Sequence, residues 1–140
     1  MTVKVHLDKG AVMPTRAHEF DAGFDLYTPI PLFIYGHSSV VVDTGVHMRI
    51  PDNYVGFLKS KSGLNVNKGI TSEGVIDAGY TGSIIVKLYN NSNDMRVFDK
   101  GDKITQIVIL PVQTPFCKLV EVDSFEETER GANGFGSSGK

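Results

Sequence analysis

The sequence predicts an all-β domain, either a barrel or a sandwich, and two observations carry that expectation. Short runs rich in Val, Ile, Phe and Tyr recur at fairly regular spacing, punctuated by polar turns and by 15 glycines. Nowhere do apolar positions repeat at helical spacing over the length of a full helix. With 140 residues, 41% of them hydrophobic and 21% charged, the chain suits one water-soluble domain with its own core.

The elements follow from local patterns. Val3, Val5 and Leu7 alternate with Lys4 and His6, which reads as a half-buried first strand. Residues Asp8 to Asp21 carry Gly10, Pro14 and several charges and read as a long loop. Phe24 to Tyr27 is a short strand, after which Pro29 and Pro31 restrict the chain to loop or sheet edge. Ile30, Leu32 and Ile34 alternate. Val40 to Val42 and Val46 to Ile50 are β-branched runs separated at Asp43-Thr44-Gly45. After the Pro51-Asp52-Asn53 turn, Tyr54 to Leu58 is extended, and Ser62 to Lys68 is the one place that suits a short helical turn. Ser83 to Tyr89, Met95 to Phe98, Ile104 to Val112 and Phe116 to Val122 complete the strands. The core is expected to end near residue 124. From about 125 to 140 the composition changes to a Gly- and Ser-rich arm that cannot hold a fold alone.

A net charge of −2 gives no general attraction to nucleic acid or to acidic membranes, so any polyanion site must be local. Cys117 is the only cysteine, which excludes an intramolecular disulfide and a cysteine zinc site and suggests a small apolar residue in or near a strand. The first residues lack a signal peptide's apolar block, and no run approaches the ~18 apolar residues of a membrane span. A cytoplasmic location is expected, and a virus- or phage-encoded origin is compatible with it.

Several segments could carry chemistry. Gly74-Val75-Ile76-Asp77-Ala78-Gly79-Tyr80-Thr81-Gly82 places a carboxylate and a phenol between glycines, ahead of a strand. It reads as a hairpin whose tip can lie against a ligand, or as an ordinary surface hairpin. In the tail, Arg130 offers a bidentate fork, Ser137 and Ser138 offer hydroxyls and Phe135 offers a ring to stack. Lys59-Ser60-Lys61-Ser62-Gly63-Leu64 is a solvated basic loop or an anion site, without the spacing of a P-loop. Lys100 to Gln106 reads as a turn entering a strand. Asp25, inside the apolar run Ala22 to Tyr27, needs a cation, water or metal partner if it is buried. The 4 histidines show no metal-ligand spacing.

Together, five of these segments resemble the ordered motifs of the homotrimeric deoxyuridine triphosphatases, the dUTPases. They are Ala22 to Leu26, Lys61 to Leu64, Gly74 to Gly82, Gly101 to Gln106 and Arg130 to Gly139, in the family's order and spanning nearly the whole chain. The resemblance implies a jelly-roll-like β-barrel and a homotrimer with active sites shared between subunits, hydrolysing dUTP to dUMP and pyrophosphate with Mg²⁺. Asp77 becomes the general base that aims a water at the α-phosphorus. The backbone around Gly74 and Ile76 pairs with uracil, and Tyr80 occupies the space of a ribose 2′-hydroxyl. Lys61, Ser62, Gly63 and Gln106 hold the phosphate chain, and Asp25 helps fix the hydrated metal, through water, or the site geometry. Arg130, Gly136, Ser137 and Ser138 grip the terminal phosphate while Phe135 caps the base. The chain departs from the family at Lys61, where Arg is usual, at Ser60, where Pro is usual, at Gly79 and at Asn133. Lysine keeps the charge but loses the planar fork. A dCTP deaminase, or a nucleotide-binding protein without turnover, would share the pocket but not the need for Asp77.

Overall fold

The computed structural model describes residues 1–136, 138 and 139, which form ten strands and one short helix. The spine of the first sheet is β4 (Ser39–Arg49), flanked by β1 (Lys4–Leu7) and β8 (Ser83–Asn90), with β6 (Ile70–Thr71) beyond β8. In the second sheet β10 (Lys103–Pro111) lies between β2 (Gly23–Tyr27) and β5 (Tyr54–Lys59), and β7 (Glu73–Ile76) forms the edge. A two-stranded ribbon pairs β3 (Leu32–Ile34) with β9 (Arg96–Phe98). The pairs are antiparallel. The helix α1 (Ser62–Lys68) sits where the sequence suits a helical turn, between β5 and β6.

Period-two alternation explains why these segments are strands. Along β8, Ile84, Val86 and Leu88 point inward while Ile85, Lys87 and Tyr89 point out. Along β4, Val42, Thr44, Val46 and Met48 point inward. With Leu26, Ile34, Leu58, Ile70, Ile104 and Ile107 they form one core. Removing a side chain such as Ile84 from such a core costs about 2–5 kcal/mol. Polar groups that the core swallows are satisfied: Thr44 Oγ1 donates to the Ile84 carbonyl (2.7 Å), and Asn90 Nδ2 donates to the carbonyls of Ile34 (2.9 Å) and Asp94 (2.8 Å).

The all-β class holds, with six departures from what local pattern predicts. The strands make two sheets and a ribbon, and the ladders do not close into one barrel. Val40 to Ile50 is nearly all one strand, because a bulge between Asp43 and His47 absorbs the Asp43-Thr44-Gly45 interruption. Gly74 to Gly82 is not a hairpin: β7 pairs with β5 and β8 with β4, so the loop carries the chain from one sheet to the other. Phe116 to Val122 alternates but forms no strand and pairs with no sheet edge among the described residues. Cys117 is exposed rather than packed. The last strand ends at Pro111, ahead of the boundary expected near 124, and every described residue beyond Val112 is exposed.

Candidate active site

Asp77 is the first residue after β7, directly beyond the buried Ile76. It is exposed, and among the described residues its carboxylate has neither a hydrogen-bond nor an ion-pair partner. Its backbone carbonyl accepts from the Tyr80 N–H (3.3 Å), which closes a tight turn, and the Gly79 N–H reaches the Ile50 carbonyl (3.4 Å). Tyr80 donates its hydroxyl to the Ser83 carbonyl (3.1 Å), so its ring lies across Gly82. Any Cβ at Gly82 would overlap that ring. A bare carboxylate and a fixed, half-exposed phenol ring therefore share one short loop.

The second cluster centres on Asp25, which is only 6% exposed. Its Oδ1 accepts from Lys61 Nζ and its Oδ2 from Lys103 Nζ (2.8 Å). Burial pushes the Asp25 carboxyl up, but the hydrogen bonds and charges of Lys103 and Lys61 outweigh it, and the net shift is downward. The Lys103 ammonium is pushed up by its hydrogen bond to Asp25. One carboxylate between two ammonium groups leaves a local excess of positive charge. The turn beside it is rigid: Gln106 Nε2 donates to the Ser60 carbonyl (3.1 Å), Ser72 N donates to Ser60 Oγ (3.0 Å), and Thr105 Oγ1 donates to the Lys59 carbonyl (2.9 Å). Ser62 and Gly63, exposed at the start of α1, are presented by that turn.

Sheet register fixes how far apart the two clusters lie. Asp25 pairs with Gln106, Gln106 with Lys59, and Lys59 with Glu73, one row across all four strands. The row closes with a Lys59–Glu73 ion pair at 2.7 Å. Asp77 stands four positions along β7 from Glu73, roughly 13 Å at a strand's rise per residue. Between them the outer face of the sheet forms an open apolar groove of about 620 Å³, lined by Phe57, Val75, Val108 and Leu110 among others. Because β7 is the edge strand of this sheet, no strand among the described residues pairs with its outward side.

The arm makes a third, separate region. Arg130 Nε donates to the Asn133 carbonyl (3.2 Å) and the Asn133 N–H returns to the Arg130 carbonyl (3.2 Å), a local turn. Arg130, Phe135, Gly136 and Ser138 are all exposed, and Ser137 lies outside the described residues.

Comparison with known proteins decides what this arrangement belongs to. The dUTPase family model matches residues 9–139. The chain belongs to the dUTPase family. A deoxyuridine 5′-triphosphate nucleotidohydrolase of Tropheryma whipplei is 44% identical over 144 residues, covering 100% of this chain and 97% of that protein. One from Clostridium kluyveri is 39% identical, covering 95% and 94%. Among solved structures, the dUTPase of Staphylococcus bacteriophage 80alpha with dUPNHPP superposes with a TM-score of 0.90 at 32% identity, over 99% of both chains.

Against the dUTPase motifs, the structure unites some residues and separates others. Asp25, Lys61, Ser62, Gly63 and Gln106 gather at one end of the second sheet. Gly74 and Ile76 line its edge, Asp77 and Tyr80 stand beyond its other end, and the arm touches neither group by a hydrogen bond among the described residues. Both Asp25 oxygens are held by lysine ammonium groups, so in this structure it anchors Lys61 and Lys103. Among the described residues no cluster of three or more His, Cys, Asp or Glu side chains could hold a metal ion. Lys103 was missed from the sequence. The signal was the buried Asp25 itself, which demanded a cation, but nothing local said that β10 would supply a second one.

Proposed function

We propose that this chain is a dUTP diphosphatase that hydrolyses dUTP to dUMP and pyrophosphate. Membership of the dUTPase family over residues 9–139, with Asp77 bare and exposed on its loop, is the observation that carries this reading. Asp77 is the general base: it accepts a proton from a water as that water attacks the α-phosphorus in line, expelling pyrophosphate. A base must be within hydrogen-bond reach of the proton it takes, and a carboxylate without a protein partner has its lone pairs free for that water.

Selectivity follows from the edge of β7. Backbone groups around Gly74 and Ile76 meet the uracil edge, two acceptor oxygens flanking an N–H, and cytosine presents a mismatched pattern. A buried mismatch of that kind discriminates by ~10⁴–10⁵. The Tyr80 ring, tied down at Ser83, fills the space that a 2′-hydroxyl would need. At the other end, Ser62, Gly63, Lys61 and the second N–H of the Gln106 amide face the phosphates, and Lys103 adds a charge. The substrate arrives as its Mg²⁺ complex, the ion being held by phosphate oxygens and water.

Since one chain separates these groups by three strand spacings across the sheet as well as roughly 13 Å along it, the working site is assembled from neighbouring chains of a homotrimer. The segment after the last strand, with Phe116, Leu119, Val120 and Phe125 all exposed, supports this: such side chains fit a subunit boundary far better than water. Arg130, Gly136, Ser137 and Ser138 then close over the terminal phosphate, and Phe135 covers the base. Among the described residues no helix is long and apolar enough to cross a membrane, and the proposed place of action is the cytoplasm. There the enzyme limits uracil in DNA and supplies dUMP for dTMP synthesis.

Pyrophosphate release should be measured with dUTP, dTTP, dCTP and UTP, with and without Mg²⁺. Release from dUTP alone supports the reading, and ammonia from dCTP would replace it with deamination. Light scattering should give the mass of three chains; a fully active monomer would defeat the shared site.

A further inference from the structure

The bulge in β4 aims one side chain at the Asp77–Gly82 loop from behind. Gly45 has φ +66, a conformation that glycine adopts without strain. Asp43 Oδ1 folds back onto the Gly45 N–H (2.9 Å) and also accepts from Ser83 Oγ. Past the bulge, His47 pairs with His6 on one side and with Ser83 on the other. Its Nδ1 lies 2.8 Å from the Thr81 carbonyl, and its Nε2 lies 3.1 Å from Asp8 Oδ2. Asp8 is fixed in turn by its N–H on the Gly45 carbonyl (2.9 Å).

Both partners of the ring only accept hydrogen bonds. The imidazole therefore makes both bonds only when both nitrogens carry hydrogen, as the imidazolium. The Thr81 carbonyl and then Asp8 raise the pKa of His47, aided by the charges of Asp8 and Asp43 and opposed by desolvation. The other titratable groups around it are His6, whose ring centroid is 5.4 Å away and whose Nε2 is 3.8 Å from Asp8 Oδ1, and Lys4 and Arg49, which line the same shallow pocket.

We propose that His47 is a positioning residue for nucleotide binding: as the imidazolium it holds the Thr81 carbonyl and so sets the Asp77–Gly82 loop to receive the deoxynucleotide. This rests on the reading that Asp77 and Tyr80 face the substrate. Thr81 is the residue next to Tyr80, and the Tyr80 hydroxyl is tied to Ser83, which is itself bound to Asp43. The ring is thus braced from β4 on both sides. When His47 loses its proton, one N–H remains for two acceptors. The carboxylate is the stronger acceptor and keeps it, so the Thr81 bond is the one lost. KM for dUTP rises about fivefold as pH passes upward through the His47 pKa, the worth of one ordinary hydrogen bond, while kcat changes less.

The test uses the intact full-length enzyme. NMR titration of the His47 ring and of the loop amides around Thr81 should give one shared midpoint, above that of an ordinary histidine. KM for dUTP is measured over the same pH range in the native protein, H47N and H47Q. Asparagine places its amide nitrogen where Nδ1 stands and rescues the Thr81 bond, so its KM stays low across the midpoint and also controls for titration of the substrate's phosphate. Glutamine reaches toward Asp8 instead and shows the raised KM at all pH values. Loop resonances that ignore the His47 midpoint, or native and H47N profiles that coincide, overturn the proposal. Should Asp77→Asn keep normal turnover, the loop's place in the active site fails, yet the His47–Thr81 coupling by NMR would still stand; the two failures are distinct.

Discussion

Asp25 and Asp77 are both aspartates in glycine-containing motif segments, and the fold treats them in opposite ways. Asp25 is buried mid-strand in β2, with each oxygen held by a lysine ammonium. Asp77 sits past the end of edge strand β7, exposed and without a partner among the described residues. The difference separates two uses of a negative charge. A carboxylate whose lone pairs are engaged organises its neighbours, here fixing Lys61 and Lys103 at the place proposed for the phosphates. A carboxylate left bare on a well-anchored loop can take a proton from water. Motif membership alone does not say which use applies; the partners do.

The comparison breaks most easily at Asp77. Replacing Asp77 with Asn should lower kcat by about 10²–10⁴, with the denaturation midpoint shifted by no more than an exposed substitution's ~0.5 kcal/mol. Turnover near the native rate would remove Asp77 as the base. Asp25→Ala should do the reverse in kind, lowering stability by about 1–3 kcal/mol in urea unfolding, because two lysines lose their acceptor and must turn to solvent. An unchanged midpoint would show that the lysines are not held by Asp25. Acid adds a finer test. The folded pKa of Asp25 is depressed, so its contribution is fully present above the unfolded value, about 4, and is lost as pH falls through the folded one. Thermal melts below that pH should fall faster for the native chain than for Asp25→Asn, which has nothing there to protonate. The smallest effect belongs to Lys61→Arg. It keeps the charge and still reaches Asp25, so KM for dUTP should move by less than about fivefold; a larger change would give position 61 a direct phosphate contact that depends on shape.

Much of this fold was legible because it is local. The alternation of β8 and β4 and the one short helix at Ser62–Lys68 follow from neighbours in sequence. Register and sheet membership do not. Gly74 to Gly82 looks like a hairpin from its glycines, yet whether two strands pair depends on partners far away, and β5 and β4 claim β7 and β8 separately. Phe116 to Val122 has a strand's alternation but takes no partner strand among the described residues, since alternation states a preference that only hydrogen-bond partners can realise. At the site, Asp25's need for a cation was readable from its apolar neighbours, but Lys61 is 36 positions away. Histidine spacing alone points to no role for His47, because its bridge between Asp8 and Thr81 needs a bulge and three distant segments to meet.

The crossing between sheets at Asp77–Gly82 has an evolutionary consequence. A hairpin tip tolerates added residues because the new loop simply projects farther into water. A span fastened at one end to β7 and at the other to β8 has its length dictated by the gap between two sheets. In a mutational library, Ala78 should accept many side chains, whereas a single inserted or deleted residue between Asp77 and Gly82 should abolish function. Drift in this family would then be written in substitutions at that span and hardly ever in length.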